Sequence, residues 1–389
     1  MVKFPDDWGS HEPLFALFDS QRVPVAENDR PLGRTPYYGA NGVQGYIDGS
    51  THQGEYVLVA EDGASDLSDY PVRFVSGNIW VNNHAHVLSG IETVSDTKYL
   101  SYAFKLVDFT SILVGGTRTK LNGKTLKEIT FPVPQVPEQR AIAQVLSGFD
   151  EHLKNLDELI AKKKNIRDGA LDALLSGKKR MFGFQNPFLR AQLLEYSEVL
   201  TGLTYTPSDV RTSGVLVLRS SNIQDDVISL EDTVFVRPSA ATSPSVQTGD
   251  VLLCVRNGST RLIGKTAQIN ENVPRGTTFG AFMAILRALP VIYPSYLYWF
   301  TKSSVFREQV REVLGATINQ ITKRDLASFT ISLPESIAEQ KAIADLLSSV
   351  DEEIRVLKAE RSKIEALKLG AMDDLLTGRV RLPVEEEAA

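Results

Sequence analysis

Apolar residues recur along two stretches of the chain in steps of four and three. In the first they stand at Ile142, Leu146, Phe149, Leu153, Leu156 and Ile160, and in the second at Ile343, Leu347, Val350, Ile354 and Leu357. That spacing keeps a narrow apolar stripe in line along one face of an α-helix. No proline interrupts residues 138–178 or 338–378, and Gly177 and Gly378 stand where each helix would stop. Forty residues at 1.5 Å each make a rod of about 60 Å. A stripe this narrow needs a partner, and the nearest is the other rod, so the pattern predicts an intramolecular coiled coil. Its contacts are Ile142, Leu146, Phe149, Leu153, Leu156, Ile343, Leu347, Val350, Ile354 and Leu357. Charges at Lys163, Arg167, Arg361 and Lys368 intrude on the stripe. They leave open a second arrangement, two separate helices each packed on its own domain.

The two stretches are copies of one another. Residues 138–180 and 339–381 agree at 18 of 43 positions without a gap, both opening on Glu-Gln-(Arg/Lys)-Ala-Ile-Ala. The echo continues upstream, where Gly115, Thr117, Leu126, Thr130 and Pro134 match Gly315, Thr317, Leu326, Thr330 and Pro334. A period near 200 is too long for a solenoid. The regions before each rod are rich in glycine, proline, aromatic and β-branched residues, and the alternations Ile129-Phe131-Val133 and Phe329-Ile331-Leu333 suit strands ending at a proline. The expected fold is therefore α+β: two mixed, mainly β domains and two long helices in a pseudo-twofold repeat. Its segments are a domain over 1–137, a helix over 138–178, a domain over 179–337, a helix over 338–378 and an acidic tail over 379–389.

Composition narrows the function. The 389 residues include 42% hydrophobic ones, enough for real cores, and the net charge is −6. A single cysteine, Cys254, excludes a disulfide framework and suits a reducing cytoplasm. No run approaches 18 apolar residues, and the N-terminus lacks a signal-peptide pattern, so a soluble cytoplasmic protein with no membrane partner is expected. Enzyme signatures fail on spacing. Gly264-Lys265-Thr266 has Ser259 where a phosphate loop needs glycine, and Gly123-Lys124-Thr125 has Arg118 there. Asn186-Pro187-Phe188 lacks the second proline of the amino-methyltransferase motif. His84 and His86 would share one side of a strand, yet polar surface or hydrogen-bonded loop positions are the expected reading, with no metal. Cys254 lies in an apolar run and reads as core. No catalytic constellation is found, which shifts weight toward a binding protein.

The positive signal lies in polar loops. Tyr38, Asn41, Gln44 and Asn83 in the first domain, and Arg219, Asn222, Arg256 and Asn257 in the second, sit in loops rich in glycine, serine and amides. Arginine paired with guanine and Asn or Gln paired with adenine are what major-groove readout uses, so these are the candidate base readers. Arg118, Lys120, Lys124, Arg261, Lys323 and Arg324 suit phosphate contacts, which position without specifying. The rival from another class is a non-catalytic, two-lobed protein-interaction scaffold with a coiled-coil spacer. A degenerate nuclease is disfavoured, since no clustered acidic and lysine site is present.

Several phrases together resemble the specificity subunits of type I restriction–modification systems. They are Tyr37-Tyr38-Gly39-Ala40-Asn41-Gly42, Trp80-Val81-Asn82-Asn83-His84-Ala85-His86, Leu218-Arg219-Ser220-Ser221-Asn222-Ile223-Gln224, and Gly249-Asp250-Val251-Leu252 leading to Arg256-Asn257-Gly258-Ser259, with the Glu-Gln openings of both rods. Their order matches target recognition domain, spacer, recognition domain, spacer over nearly the whole chain. The resemblance implies a DNA-binding subunit without catalysis of its own. Each domain would read one half of a bipartite, asymmetric target in double-stranded DNA, and the rods, paired as an antiparallel coiled coil, would fix the gap. Two methyltransferase subunits would dock on it, and restriction subunits would join. No cofactor is then expected in this chain; S-adenosylmethionine, ATP and magnesium would belong to the partners.

Overall fold

The computed structural model describes residues 4–9, 13–67, 69–113, 120–316 and 319–383. They form two compact units, residues 1–157 with 359–389 and residues 158–358. The division falls inside both long helices, Val136–Leu175 and Ile337–Leu376, so each unit holds the start of one helix and the end of the other.

In the first unit six strands make one sheet, in the order Phe15–Leu17, Ala85–Gly90, His52–Ala60, Val72–Val81, Thr35–Gly39, Gly42–Ile47. All neighbours are antiparallel except Thr35–Gly39 against Val72–Val81. Helix Thr97–Ala103, whose first turn is capped by the Asp96 carboxylate, supplies Leu100 to the core beside Leu14, Val57 and Phe104. The same core takes in Ile142 and Leu146 from the start of the first long helix and Leu375 and Leu376 from the end of the second.

The second unit repeats this plan with a larger β-region. One sheet runs Thr266–Gln268, Val251–Cys254, Met283–Ala288, Ser197–Thr201, and another runs Thr278–Phe279, Val215–Leu218, Phe235–Val236, Val210–Arg211. Helix Pro294–Lys302 takes the place of Thr97–Ala103. Here Ile343 and Leu347 start their helix in the core, and Leu171, Leu174 and Leu175 end theirs in it. The alternation at Phe329-Ile331-Leu333 forms strand Thr330–Pro334, paired with Phe188–Gln192. Among the described residues its counterpart at Ile129-Phe131-Val133 forms a bridge between Val133 and Gly9.

Both arrangements considered for the helices are present at once. Each helix opens inside its own domain's core and then pairs antiparallel with the other helix inside each unit. The charged intrusions are the pairing devices. Lys368 meets Asp150 at 2.5 Å and Arg361 meets Asp157 at 2.6 Å in the first unit; in the second, Arg167 meets Asp351 at 2.6 Å and Lys163 meets Glu353 at 2.5 Å. Lys368–Asp150 and Arg167–Asp351 are the same pair at an offset of 201. Of the expected contacts, Ile142, Leu146, Leu156, Ile343, Leu347 and Ile354 are buried, and Phe149, Leu153, Val350 and Leu357 are half-buried.

Gly177 and Gly378 end the helices at φ +73° and +71°, where a Cβ would press on Phe188 and Pro5 respectively. Just beyond, Arg180 reaches the fully buried Glu339 at 2.6 Å, and Arg381 reaches Glu138 at 2.7 Å. Residues 379–383 therefore do not begin a tail: Arg381 also pairs with Asp7, and Arg379 with Asp373 and Asp374. Glu385, Glu386 and Glu387 lie outside the described residues.

Candidate nucleic-acid interface

In each unit a pair of parallel strands frames one cluster of loops. Tyr37 and Tyr38 lie beside Trp80 and Val81 in the first, and Val217 and Leu218 beside Thr278 and Phe279 in the second. Parallel neighbours run in the same direction, so the loops leaving them, 39–42 with 82–84 and 219–222 with 280–282, emerge together. A third loop follows the strands that end at Ala60 and Cys254. It bridges to a fourth segment, Asp62 to Lys120 and Arg256 to Gln320.

The first cluster is tied by amides. Asn41 donates from Nδ2 to the Gly63 carbonyl at 2.9 Å and accepts the Ser65 N–H at 2.8 Å. Asn82 donates to Gln44 Oε1 at 3.3 Å, and its backbone N–H donates to the Tyr38 carbonyl at 3.0 Å. Gln44 and Asn83 are exposed and Tyr38 half-buried, so this cluster presents two amides and a phenol beside one another. Asn41 is exposed too, but its amide clamps two loops. Lys124 is exposed on helix Gly123–Lys127, while Lys120 pairs with Glu61 at 2.8 Å. Arg118 lies outside the described residues.

Beneath this cluster lies an ion network that the sequence did not disclose. His86 is 1% exposed; its Nδ1 faces Asp19 at 2.5 Å and its Nε2 faces the Leu121 carbonyl at 2.8 Å. Arg22 reaches Glu61 at 2.6 Å and Asp19 at 3.3 Å. The expectation of a polar surface or hydrogen-bonded loop position thus holds for His84, which is exposed and meets Asp62 at 2.6 Å; His86 is hydrogen-bonded as expected but is buried within strand Ala85–Gly90 and not in a loop. Partners 67 and 35 residues away along the chain cannot be seen from local pattern. Asp19, Glu61 and His86 are close enough to share a cation, but Arg22 and Lys120 already neutralise both carboxylates and both ring nitrogens are engaged. The chemistry is that of a brace holding Lys120 and Leu121 against the sheet.

Burial pushes the Asp19 and Glu61 carboxyls up. Hydrogen bonds outweigh it, from His86 and Val87 on Asp19 and from Lys120 and Arg22 on Glu61, and both groups end below their ordinary values of 3.8 and 4.5. A carboxyl depressed in the folded state stabilises it above its unfolded value and loses that contribution as pH falls through the folded one. The first unit's melting temperature should therefore stay level from pH 7 to about 5 and drop below about pH 4. Differential scanning calorimetry checks this, with Glu61→Gln expected to flatten part of the drop.

The second cluster presents more charge. Arg256 is exposed, with its guanidinium 5.2 Å from the centre of the Phe282 ring. Asn257 donates to Ser220 Oγ at 3.1 Å, joining two of the loops. Arg219 pairs with Asp232 at 2.8 Å, although its Nε is buried without a partner. Arg219, Ser220, Tyr205 and Phe282 line a cleft of about 460 Å³. Arg261, Lys323 and Arg324 are exposed.

Asn222 departs from expectation. It is fully buried; its Nδ2 donates to the Ser229 and Asp232 carbonyls at 3.0 and 2.7 Å, and its Oδ1 accepts the Arg219 N–H at 2.8 Å. With both amide hydrogens and its oxygen engaged by backbone, and no surface exposed, it braces the loop and is out of a base's reach. Phe282, an exposed aromatic under Arg256, was missed; its only sequence signal was its place in the turn after strand Thr278–Phe279. Cys254 is buried in its strand, as its apolar neighbours imply, and burial pushes its thiol up.

Comparison with known proteins agrees with this geometry. The family model described as the type I restriction modification DNA specificity domain matches residues 12–164 and 246–366. A putative type I restriction enzyme specificity subunit of Haemophilus influenzae is 36% identical over 143 residues, and the match spans 37% of this chain and 37% of that protein. The MjaVIII specificity subunit of Methanocaldococcus jannaschii is 26% identical over 307 residues, 74% of this chain and 71% of that one. Among solved structures, the S subunit of a type I restriction–modification system from M. genitalium shares the fold, with a TM-score of 0.68 and 18% identity over 96% of this chain and 98% of that chain.

Proposed function

The chain belongs to the type I restriction modification DNA specificity family, and from that premise we propose that it reads a bipartite, asymmetric sequence in double-stranded DNA for a methyltransferase and restriction complex. The observation that carries this reading is the duplicated loop cluster, framed by the same parallel strand pair in both units but presenting different heads. Gln44, Asn83 and Tyr38 head one, and Arg256 and Asn257 the other. Similar frames with unlike heads are what two unlike half-sites require. Lys124, Arg261, Lys323 and Arg324 flank the clusters and supply phosphate contacts. With a chain charge of −6, part of the affinity comes from partner chains.

The helices support two copies of one partner. Val145 and Ile166 of the first helix and their repeat counterparts Leu346 and Leu367 of the second are all exposed apolar residues. A surface duplicated by the repeat suits two methyltransferase subunits, with restriction subunits joining that assembly. A structure addressing assembly and conformational transition of a type I restriction–modification system shares the fold at a TM-score of 0.53. The chain itself is non-catalytic in this reading, and S-adenosylmethionine, ATP and magnesium act on the partners. The cytoplasm is the fitting location; among the described residues no helix is long and apolar enough to cross a membrane.

A methylation map of the host genome with and without the gene tests the proposal. A gapped, two-part motif should lose its methylation on deletion and regain it on complementation. Unchanged methylation in a host that expresses the partner subunits would overturn it.

A further inference from the structure

The repeat places the same crevice in both units, between the helix pair and the sheet, and the two copies differ in what fills them. Their equivalence can be read residue by residue. Gln139 accepts the Asp96 N–H, and Gln340 accepts the Tyr293 N–H, each at 2.8 Å. Counting nine residues on from each cap makes Lys105 the counterpart of Lys302. The sheet registers set Arg73 and Phe74 where the second unit has Ala267 and Gln268. On the long helix, Asp150 and Lys154 correspond to Asp351 and Arg355.

In the second unit an acidic hairpin occupies the crevice. Strands Ile223–Gln224 and Val227–Ile228 turn through Asp225 and Asp226 at φ 46° and 67°, a left-handed conformation that non-glycine residues hold only where anchored. The anchors are Lys302 on the Asp226 carboxylate at 2.8 Å, the Tyr298 hydroxyl on its carbonyl at 3.2 Å, and Lys358 on Asp225 at 2.9 Å. The space that remains is about 170 Å³.

Among its described residues the first unit has no such hairpin. Strand Thr35–Gly39 passes directly into Gly42–Ile47 through a two-residue turn, where the second unit inserts residues 219–234 between the equivalent strands. The crevice there is open, about 870 Å³, and more basic. Arg73, Lys98, Lys105, Lys154 and Lys368 line it against two acids, Asp150 and Glu151. Among the described residues Arg73 and Lys98 make no ion pair, and Lys105, in the place of Lys302, reaches only the exposed Asp69.

We propose that this crevice of the first unit is a docking site for an acidic turn of a partner protein, with Lys98 and Lys105 receiving the carboxylates as Lys302 receives that of Asp226. The molecule itself supplies the template for the occupant, since the same frame closes over two consecutive aspartates in the other unit. Basic groups alone would equally suit a DNA backbone; the filled copy favours carboxylates on a tight turn.

The probe is a labelled, head-to-tail cyclised peptide carrying residues 223–228, titrated by fluorescence anisotropy into the full-length chain. Binding should be saturable at or below millimolar concentration. It should weaken about tenfold or more on Lys98→Glu/Lys105→Glu, and disappear when the peptide carries Asp225→Asn and Asp226→Asn. The peptide change needs nothing of the protein's folding, and Lys105→Gln, confirmed folded by circular dichroism, gives a milder protein variant. No saturable binding, or binding indifferent to both sets of changes, overturns the proposal. So does displacement of the peptide by an unrelated DNA duplex whose own binding depends on Lys98 and Lys105, which would assign the crevice to phosphate.

Discussion

Replacing Arg256 by alanine should relax recognition at one base pair of one half-site and leave the other half-site as strict as before. Arg256 projects from the loop after a buried strand, is exposed, and makes no ion pair among the described residues; its guanidinium lies over Phe282. A planar fork held on an aromatic face is ready for the two acceptors of a guanine edge. Losing such a bidentate contact removes about 1–3 kcal/mol of discrimination, about five- to 150-fold. Competition binding of the chain, assembled with the partner subunits proposed for it, against targets substituted singly at every position, measures it. Uniform weakening on all targets would instead make Arg256 a phosphate contact. Arg219→Ala should do less, because Asp232 already holds that guanidinium.

Gln340→Leu should destabilise the second unit by about 3 kcal/mol, since buried groups left unpaired cost about 1–3 kcal/mol each. Gln340 is 1% exposed, donates to the Pro334 carbonyl at 2.9 Å and accepts the Tyr293 N–H at 2.8 Å. It fastens the start of the long helix to the strand before it and to the cap of helix Pro294–Lys302. Gln139 does the same in the first unit, donating to Pro134 at 2.8 Å and Val94 at 2.9 Å and accepting from Asp96. Native-state hydrogen exchange of strands Met283–Ala288 and Thr330–Pro334 should register the loss, while the first unit's sheet keeps its protection. Loss in both units alike would mean that the two do not open independently.

That pair of glutamines shows how far the sequence could be read. The Glu-Gln openings stood out as repeated letters, and the helices they begin were bounded to within a few residues, because periodicity and terminal glycines are local signals. What each letter does was not local. Glu138 and Glu339 are held by arginines from the far end of the other repeat, and His86 by Asp19 and Leu121 across the sheet. Charges at Lys163, Arg167, Arg361 and Lys368 looked like defects in an apolar stripe because their partners sit on the other helix. Asn222 reads as a base contact from the chemistry of its side chain, and only its burial shows that chemistry turned inward. Loops that vary in composition announce exposed polar groups well and say little about which of them are already hydrogen-bonded.

The exchange of helix ends between the two cores also governs the order of birth on the ribosome. Domains generally fold in the order in which they are synthesised. Here the second core draws on residues 170–347, whereas the first must wait for Leu375 and Leu376. The half made earlier is finished later, its apolar face uncovered while some two hundred further residues emerge, and a truncation in the last helix would strike the amino-terminal reading head first.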